Sequence, residues 1–119
     1  MTKRKLPNFL ICGGQRCGTG WIAQCLREHP DVFVARDETR FFDLHYDSGV
    51  LWWLDRYFAN SQGAKAIGEK TAEYLYDEAV LGRIFSVLDM PRIIICVRDP
   101  VTRLVSEIAM KSRQLGVPM

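Results

Sequence analysis

A chain of 119 residues, 48% hydrophobic and 25% charged, has the length and composition of one globular domain with a buried core, which excludes intrinsic disorder. Sixteen basic against fourteen acidic residues leave a net charge of +2, too small to make nucleic acid a partner. The four cysteines form neither a CxxC pair nor a zinc spacing, so neither a disulfide framework nor a metal centre is expected.

The basic start, Met1 to Pro7, is followed by an apolar run of only four residues, 9–12, too short for a signal peptide or a membrane span. A cytoplasmic protein is expected unless an anchor lies upstream. The run 9–12 reads as a buried strand that enters a tight turn at Gly13-Gly14. Residues 19–28 read as a helix with Trp21, Ile22, Cys25 and Leu26 on its inner face, stopped by His29-Pro30. A short strand over 32–35 leads into a charged loop, 36–40, and then Phe41-Phe42-Asp43.

Residues 50–59 predict a helix with Val50, Trp53, Leu54, Tyr57 and Phe58 on one side. After a turn at 60–63, a strand over 64–68 ends at Glu69-Lys70-Thr71. Residues 78–88 form an amphipathic helix through Leu81, Ile84, Phe85 and Leu88. The run 93–97 is apolar throughout, which predicts a central parallel strand covered on both faces. Asp99 caps a last helix and Pro100 fits its first position, with Val101, Leu104, Val105 and Ile108 facing inward. Strands alternating with helices predict an α/β fold with a parallel central sheet flanked by helices. No further strand follows the last helix, so the sheet is expected to be incomplete. Cys12 and Cys96, in strand runs, are read as small buried hydrophobes, and Cys17 as a loop thiol.

Two segments carry chemistry. The loop Gly13, Gly14, Gln15, Arg16, Cys17, Gly18, Thr19, Gly20 joins a strand to a helix. Its glycines let the backbone approach an anion, and the helix start offers unpaired N–H groups. Arg16 adds a charge with several donors, and Thr19 a cap or a hydroxyl for a phosphate oxygen. The loop is neither a Walker A motif nor the dinucleotide fingerprint, and alone it reads equally as a glycine turn with a surface arginine. In the second segment, Arg98 lies at the carboxyl end of the apolar strand, where α/β folds bind ligands. Asp99, Arg103 and Ser106 share the helix face opposite the apolar one. A guanidinium and a hydroxyl there suit a phosphate dianion. The plainer reading pairs Arg98 with Asp99.

Together these segments resemble the sulfotransferase family, with its first loop of the form Gly-x-x-Arg/Lys-x-Gly-Thr and its strand ending in Arg-Asp-Pro followed by Arg and Ser. Glu38-Thr-Arg-Phe-Phe-Asp43 and Gly68-Glu-Lys-Thr-Ala-Glu-Tyr74 are similar to segments of the branch that modifies glycans, such as the heparan sulfate enzymes. The resemblance runs from Phe9 to about Met110. It implies the P-loop NTPase-like sulfotransferase fold, with 1–119 forming its N-terminal, nucleotide-binding part. It also implies transfer of a sulfuryl group from 3′-phosphoadenosine 5′-phosphosulfate, without a metal, to an acceptor hydroxyl on a carbohydrate. The first loop, Gly14 to Gly20, would hold the 5′-phosphosulfate, chiefly through Arg16, and Arg98 and Ser106 the 3′-phosphate. Glu38 would be the base, and Lys70 would reach the sulfuryl oxygens or the acceptor. Glu69 is expected to orient a neighbour rather than react.

The chain departs from the family at Arg16, where many members carry lysine, at Gly20, at Asp37, and at Arg40, where histidine is frequent. His29, His45, Trp52 and Trp53 read as structural. Rival readings are a P-loop-type nucleotide kinase or NTPase, a truncated non-catalytic nucleotide-binding fragment, and a generic phosphate-binding domain indifferent to a 3′-phosphate.

Overall fold

A computed structural model describes residues 5–116 as four strands and five α-helices, with short 3-10 helices at Tyr46–Ser48 and Ala72–Tyr76. In chain order these are β1 (Phe9–Gly13), α1 (Thr19–Arg27), β2 (Val32–Val34), α2 (Phe41–Leu44), α3 (Val50–Tyr57), β3 (Ala66–Lys70), α4 (Glu78–Val87), β4 (Arg92–Ile95) and α5 (Pro100–Leu115). The strands pair in parallel in the order β2-β3-β1-β4, so the α/β fold with a parallel sheet flanked by helices is the observed one.

Alternation along β1 divides the core. Leu10 and Cys12 face the larger layer, with Phe41, Phe42, Trp53, Leu54, Phe58, Ile67, Val80 and Ile84. Phe9 and Ile11 face a thinner layer, where Ala23 of α1 and Val34 of β2 pack. The anticipated apolar face of α3 is the one that packs: Trp53, Leu54 and Phe58 are buried. On α1, however, Trp21 is 72% exposed and Cys25 is exposed, while Thr19 and Ala23 are buried. Of the expected face, Ile22 and Leu26 pack against the thinner layer and are partly buried, while the closest approach to the sheet is made by the small residues Thr19 and Ala23. Similarly, α4 buries Val80 and Ile84 and leaves Leu81 and Phe85 exposed.

The largest correction concerns β4. It is an edge strand, not a central covered one: Ile93 and Ile94 are half-buried, Ile95 is exposed, and Val97 lies beyond the strand. The expected inner face of α5 is also bare, with Val101, Leu104, Val105 and Ile108 all exposed and no residue of the helix buried. Among the described residues no strand pairs outside β4, so Ile93 and Ile94 pack against the two core layers but stay only partly covered. β3 runs two residues later than the predicted strand, which brings Glu69 and Lys70 inside it. Among the described residues no helix is long and apolar enough to cross a membrane.

Candidate active site

The loops after all four strands gather at the carboxyl edge of the sheet, where an open α/β sheet binds its ligands. β1 ends at Gly13, whose φ of 142° is closed to other residues; a Cβ there would sit 2.9 Å from the Ala72 carbonyl. The turn is then tied on both flanks. The Gly14 N–H donates to the Cys96 carbonyl (3.0 Å), and the Gln15 N–H to the Tyr76 hydroxyl (3.2 Å). Arg16 adopts a left-handed backbone, φ 58°. Gly18, also left-handed at φ 87°, is the N-cap of α1, so Thr19 is the first helical residue rather than the cap.

A cleft of about 510 Å³ opens over this turn. Gln15, Arg16, Gly18, Thr19 and Gly20 line one side, Glu38, Lys70 and Glu73 another, and Arg98, Ser106 and Met110 a third. The structure therefore brings together in one cavity most of the residues anticipated from sequence. Gly14 and Cys17 do not line it: the Gly14 N–H is spent on Cys96, and the Cys17 thiol donates to the Gln15 carbonyl (3.4 Å). Arg103 is drawn away into an ion pair with Glu107 (3.1 Å).

Within the cleft, the Arg98 guanidinium donates to the Arg16 carbonyl (2.9 Å) rather than pairing with Asp99, which caps α5 through the N–H groups of Val101 and Thr102. The Arg16 Nε–H donates to Ser106 Oγ (3.2 Å). Among the described residues neither guanidinium has a carboxylate partner. Across the cavity Lys70 Nζ lies 2.7 Å from Glu38 Oε1, an ion pair that involves neither Glu69 nor Glu73.

Behind that ion pair is a polar knot that sequence reasoning missed. The Glu69 side chain is fully buried. Its Oε2 accepts from the Thr39 hydroxyl and from the Trp53 indole (2.9 Å), and its Oε1 from the Thr71 hydroxyl (2.6 Å). Thr71 Oγ1 in turn accepts from the Arg40 N–H (3.2 Å), and the Tyr74 hydroxyl from the Phe42 N–H (3.2 Å). Thr39 follows Glu38 and Thr71 follows Lys70, so one carboxylate ties down both loops that carry the ion pair. Burial holds the Glu69 carboxyl above the usual carboxylate range, against the hydrogen bonds from Thr39 and Thr71 that lower it. Burial and the nearby Glu69 charge push the Cys12 thiol up to about 12. The available signal was strand alternation, which puts Glu69 on the inward face of Ile67 once β3 is extended past Gly68.

Other candidates lie outside the cavity. His29 Nδ1 accepts from the Asp31 N–H (3.0 Å) in the turn after α1. His45 packs on Trp52, ring centroids 5.2 Å apart, and Trp53 is a core residue. Arg40 is bound to Asp43 (2.6 Å).

The family model described as a sulfotransferase domain matches residues 6–115. The chain is 36% identical over 104 residues to human heparan sulfate glucosamine 3-O-sulfotransferase 3B1, covering 87% of this chain and 26% of that protein. It is 34% identical over 117 residues to mouse heparan sulfate glucosamine 3-O-sulfotransferase 6, covering 98% and 34%. It thus spans about a quarter to a third of the length of these relatives. A crystal structure of a sulfotransferase from Alicyclobacillus acidocaldarius superposes with a TM-score of 0.81 at 26% identity, covering 93% of this chain and 52% of that one.

Proposed function

The chain belongs to the sulfotransferase family, and from that premise we propose that its cleft binds 3′-phosphoadenosine 5′-phosphosulfate and serves sulfuryl transfer to a hydroxyl of a glycan. The observation that carries this reading is the convergence of Arg16 and Arg98, two guanidinium groups without carboxylate partners among the described residues, on the start of α1 and the Ser106 hydroxyl. A nucleotide with a charged group at each end of its ribose fits that donor set. Arg98 and Ser106 suit the 3′-phosphate; the first N–H groups of α1 with Arg16 suit the 5′ end. The glycan acceptor is supported by the substrates named in the relatives' titles, heparan sulfate glucosamine residues.

In the reaction the acceptor oxygen attacks sulfur, the bond from sulfur to the 5′-phosphate oxygen breaks, and negative charge accumulates on that phosphate. Arg16 and the start of α1 are placed to meet that charge, as anion donors do in phosphoryl transfer. Glu38 takes the acceptor proton, and Lys70 beside it holds the carboxylate in place.

Calorimetry with 3′-phosphoadenosine 5′-phosphate and 5′-AMP tests the donor site. The bisphosphate should bind more tightly, and Arg98→Ala should erase the difference. A folded sample that binds neither nucleotide overturns the reading. Transfer of labelled sulfate to heparan sulfate should fall by about 10²-fold or more in Glu38→Gln if Glu38 is the base.

A further inference from the structure

We propose that Tyr76 is a positioning residue for the loop after β1: its hydroxyl, by accepting the Gln15 N–H, fixes the turn from which Arg16 reaches the cleft. The inference rests on the donor reading above and concerns a residue outside the segments that carry that reading. Two backbone N–H groups tie the turn ahead of Arg16. The Gly14 N–H donates to the Cys96 carbonyl (3.0 Å), a bond between backbone groups that depends on neither side chain. The Gln15 N–H donates to the Tyr76 hydroxyl (3.2 Å), and this bond requires one particular side chain. The next residue, Arg16, turns into the left-handed region at φ 58°, unusual for a residue other than glycine. The Tyr76 hydroxyl thus holds the last amide before the chain changes direction.

Packing brings the hydroxyl to that amide. A Cβ on Gly14 would lie 3.3 Å from the Tyr76 hydroxyl, and one on Gly13 would lie 2.9 Å from Leu75 Cβ. The 3-10 helix Ala72–Tyr76 therefore rests directly on the turn, and it begins just after Lys70 and Thr71. Its two tyrosine hydroxyls both accept backbone N–H groups, Tyr74 from Phe42 (3.2 Å) and Tyr76 from Gln15. The two bonds differ in setting: Tyr74 is buried, whereas Tyr76 is 58% exposed. Loss of the Tyr74 hydroxyl would strand a buried N–H; loss of the Tyr76 hydroxyl frees an amide that water can reach. The Tyr76 bond thus contributes to placing the loop far more than to folding the chain. Tyr76 also lies outside the lining of the cleft, unlike Arg98 and Ser106, so a bound nucleotide leaves its bond in place.

The test compares the wild-type chain with Tyr76→Phe and Tyr76→Ala by calorimetry with 3′-phosphoadenosine 5′-phosphate, by urea denaturation and by amide NMR spectra. Tyr76→Phe should bind the bisphosphate about fivefold more weakly, the worth of one neutral hydrogen bond, with an unchanged urea midpoint. The amide resonances of Gln15 and Arg16 should move, while those of Leu10 and Tyr74 stay. Tyr76→Ala should match Tyr76→Phe, because the hydroxyl makes the contact. Wild-type affinity in Tyr76→Phe, with a loss confined to Tyr76→Ala, would assign the role to the ring and overturn the inference. A urea midpoint that falls in step with affinity would make the bond a structural one and overturn it equally. A folded wild-type chain that binds no nucleotide removes the donor reading and the positioning role with it, while a moved Gln15 amide in Tyr76→Phe would still show the tie itself.

Discussion

The two walls of the cleft are built on opposite principles. The wall that carries Glu38 and Lys70 stands on β3 and on a buried carboxylate with three donors drawn from two loops and a core helix. The wall that carries Arg98 and Ser106 stands on an edge strand and on α5, which buries none of its residues. The first is placed by the core. The second is placed by the loop after β1, through the bonds from Arg98 and to Ser106. The proton transfer proposed for the first wall would need a fixed distance to the acceptor, which core anchorage supplies. Arg98 and Ser106, proposed to read the nucleotide, are held by contacts that a bound nucleotide would be able to replace.

The comparison breaks most readily at Glu69. Glu69→Ala leaves the Thr39 and Thr71 hydroxyls and the Trp53 indole without their buried acceptor. It should lower the unfolding free energy by about 3–5 kcal/mol, read from urea denaturation. A loss under about 1 kcal/mol would mean that water enters the knot and that the wall is not core-anchored. Gly13→Ala should come next, at about 1–3 kcal/mol, because φ of 142° and the nearby Ala72 carbonyl leave no room for a Cβ. Its effect should reach nucleotide binding as well, since the turn sets the position of Arg16.

The difference between the walls also explains what could be read in advance. The loop after β1 and the Arg98 to Ser106 segment are local constellations, in which glycine, charge and a helix cap lie within a few residues, so their meeting in one cleft was legible. The face of α3 was legible because Trp53, Leu54 and Phe58 are large and in period. The run 93–97 misled: an apolar strand shows what a segment can bury, not what stands beside it, and β4 is an edge. On α1, Ala23 packs and Trp21 does not, because close approach favours the small residue. Alternation along β3 marks Glu69 as inward, but its partners were not legible, because Thr39 is thirty residues away and the β2-β3 pairing brings the two loops together.

A smaller effect separates the walls by pH. Burial raises the folded-state pKa of Glu69 above its unfolded value, so the native chain holds this proton to higher pH than the unfolded chain does. Between the two values the native state binds more protons, and this contribution to stability falls as pH rises. The urea midpoint should therefore decline as pH climbs above the ordinary carboxylate range, and Glu69→Gln should flatten the decline. A midpoint that rises there would mean that the hydrogen bonds from Thr39 and Thr71 outweigh burial. Asp99 carries the opposite sign: hydrogen bonds from the Thr102 and Val101 N–H groups lower its pKa, so its support of α5 is lost as pH falls through that lowered value, seen as lost helical dichroism.

The smallest expected effect lies on the outer face of α5. Leu104 is 51% exposed, and Val101, Val105 and Ile108 beside it are exposed as well. Leu104→Ser removes little buried apolar area, so the unfolding free energy should change by no more than about 0.5 kcal/mol. The affinity for 3′-phosphoadenosine 5′-phosphate should also stay unchanged, because Ser106 lies on the other side of the helix from this stripe. A loss above about 1 kcal/mol would require that the stripe is covered in solution, since uncovered leucine has no burial to lose. The second wall would then be packed like the first, and the contacts to Arg16 would no longer be what holds Arg98 and Ser106 in place.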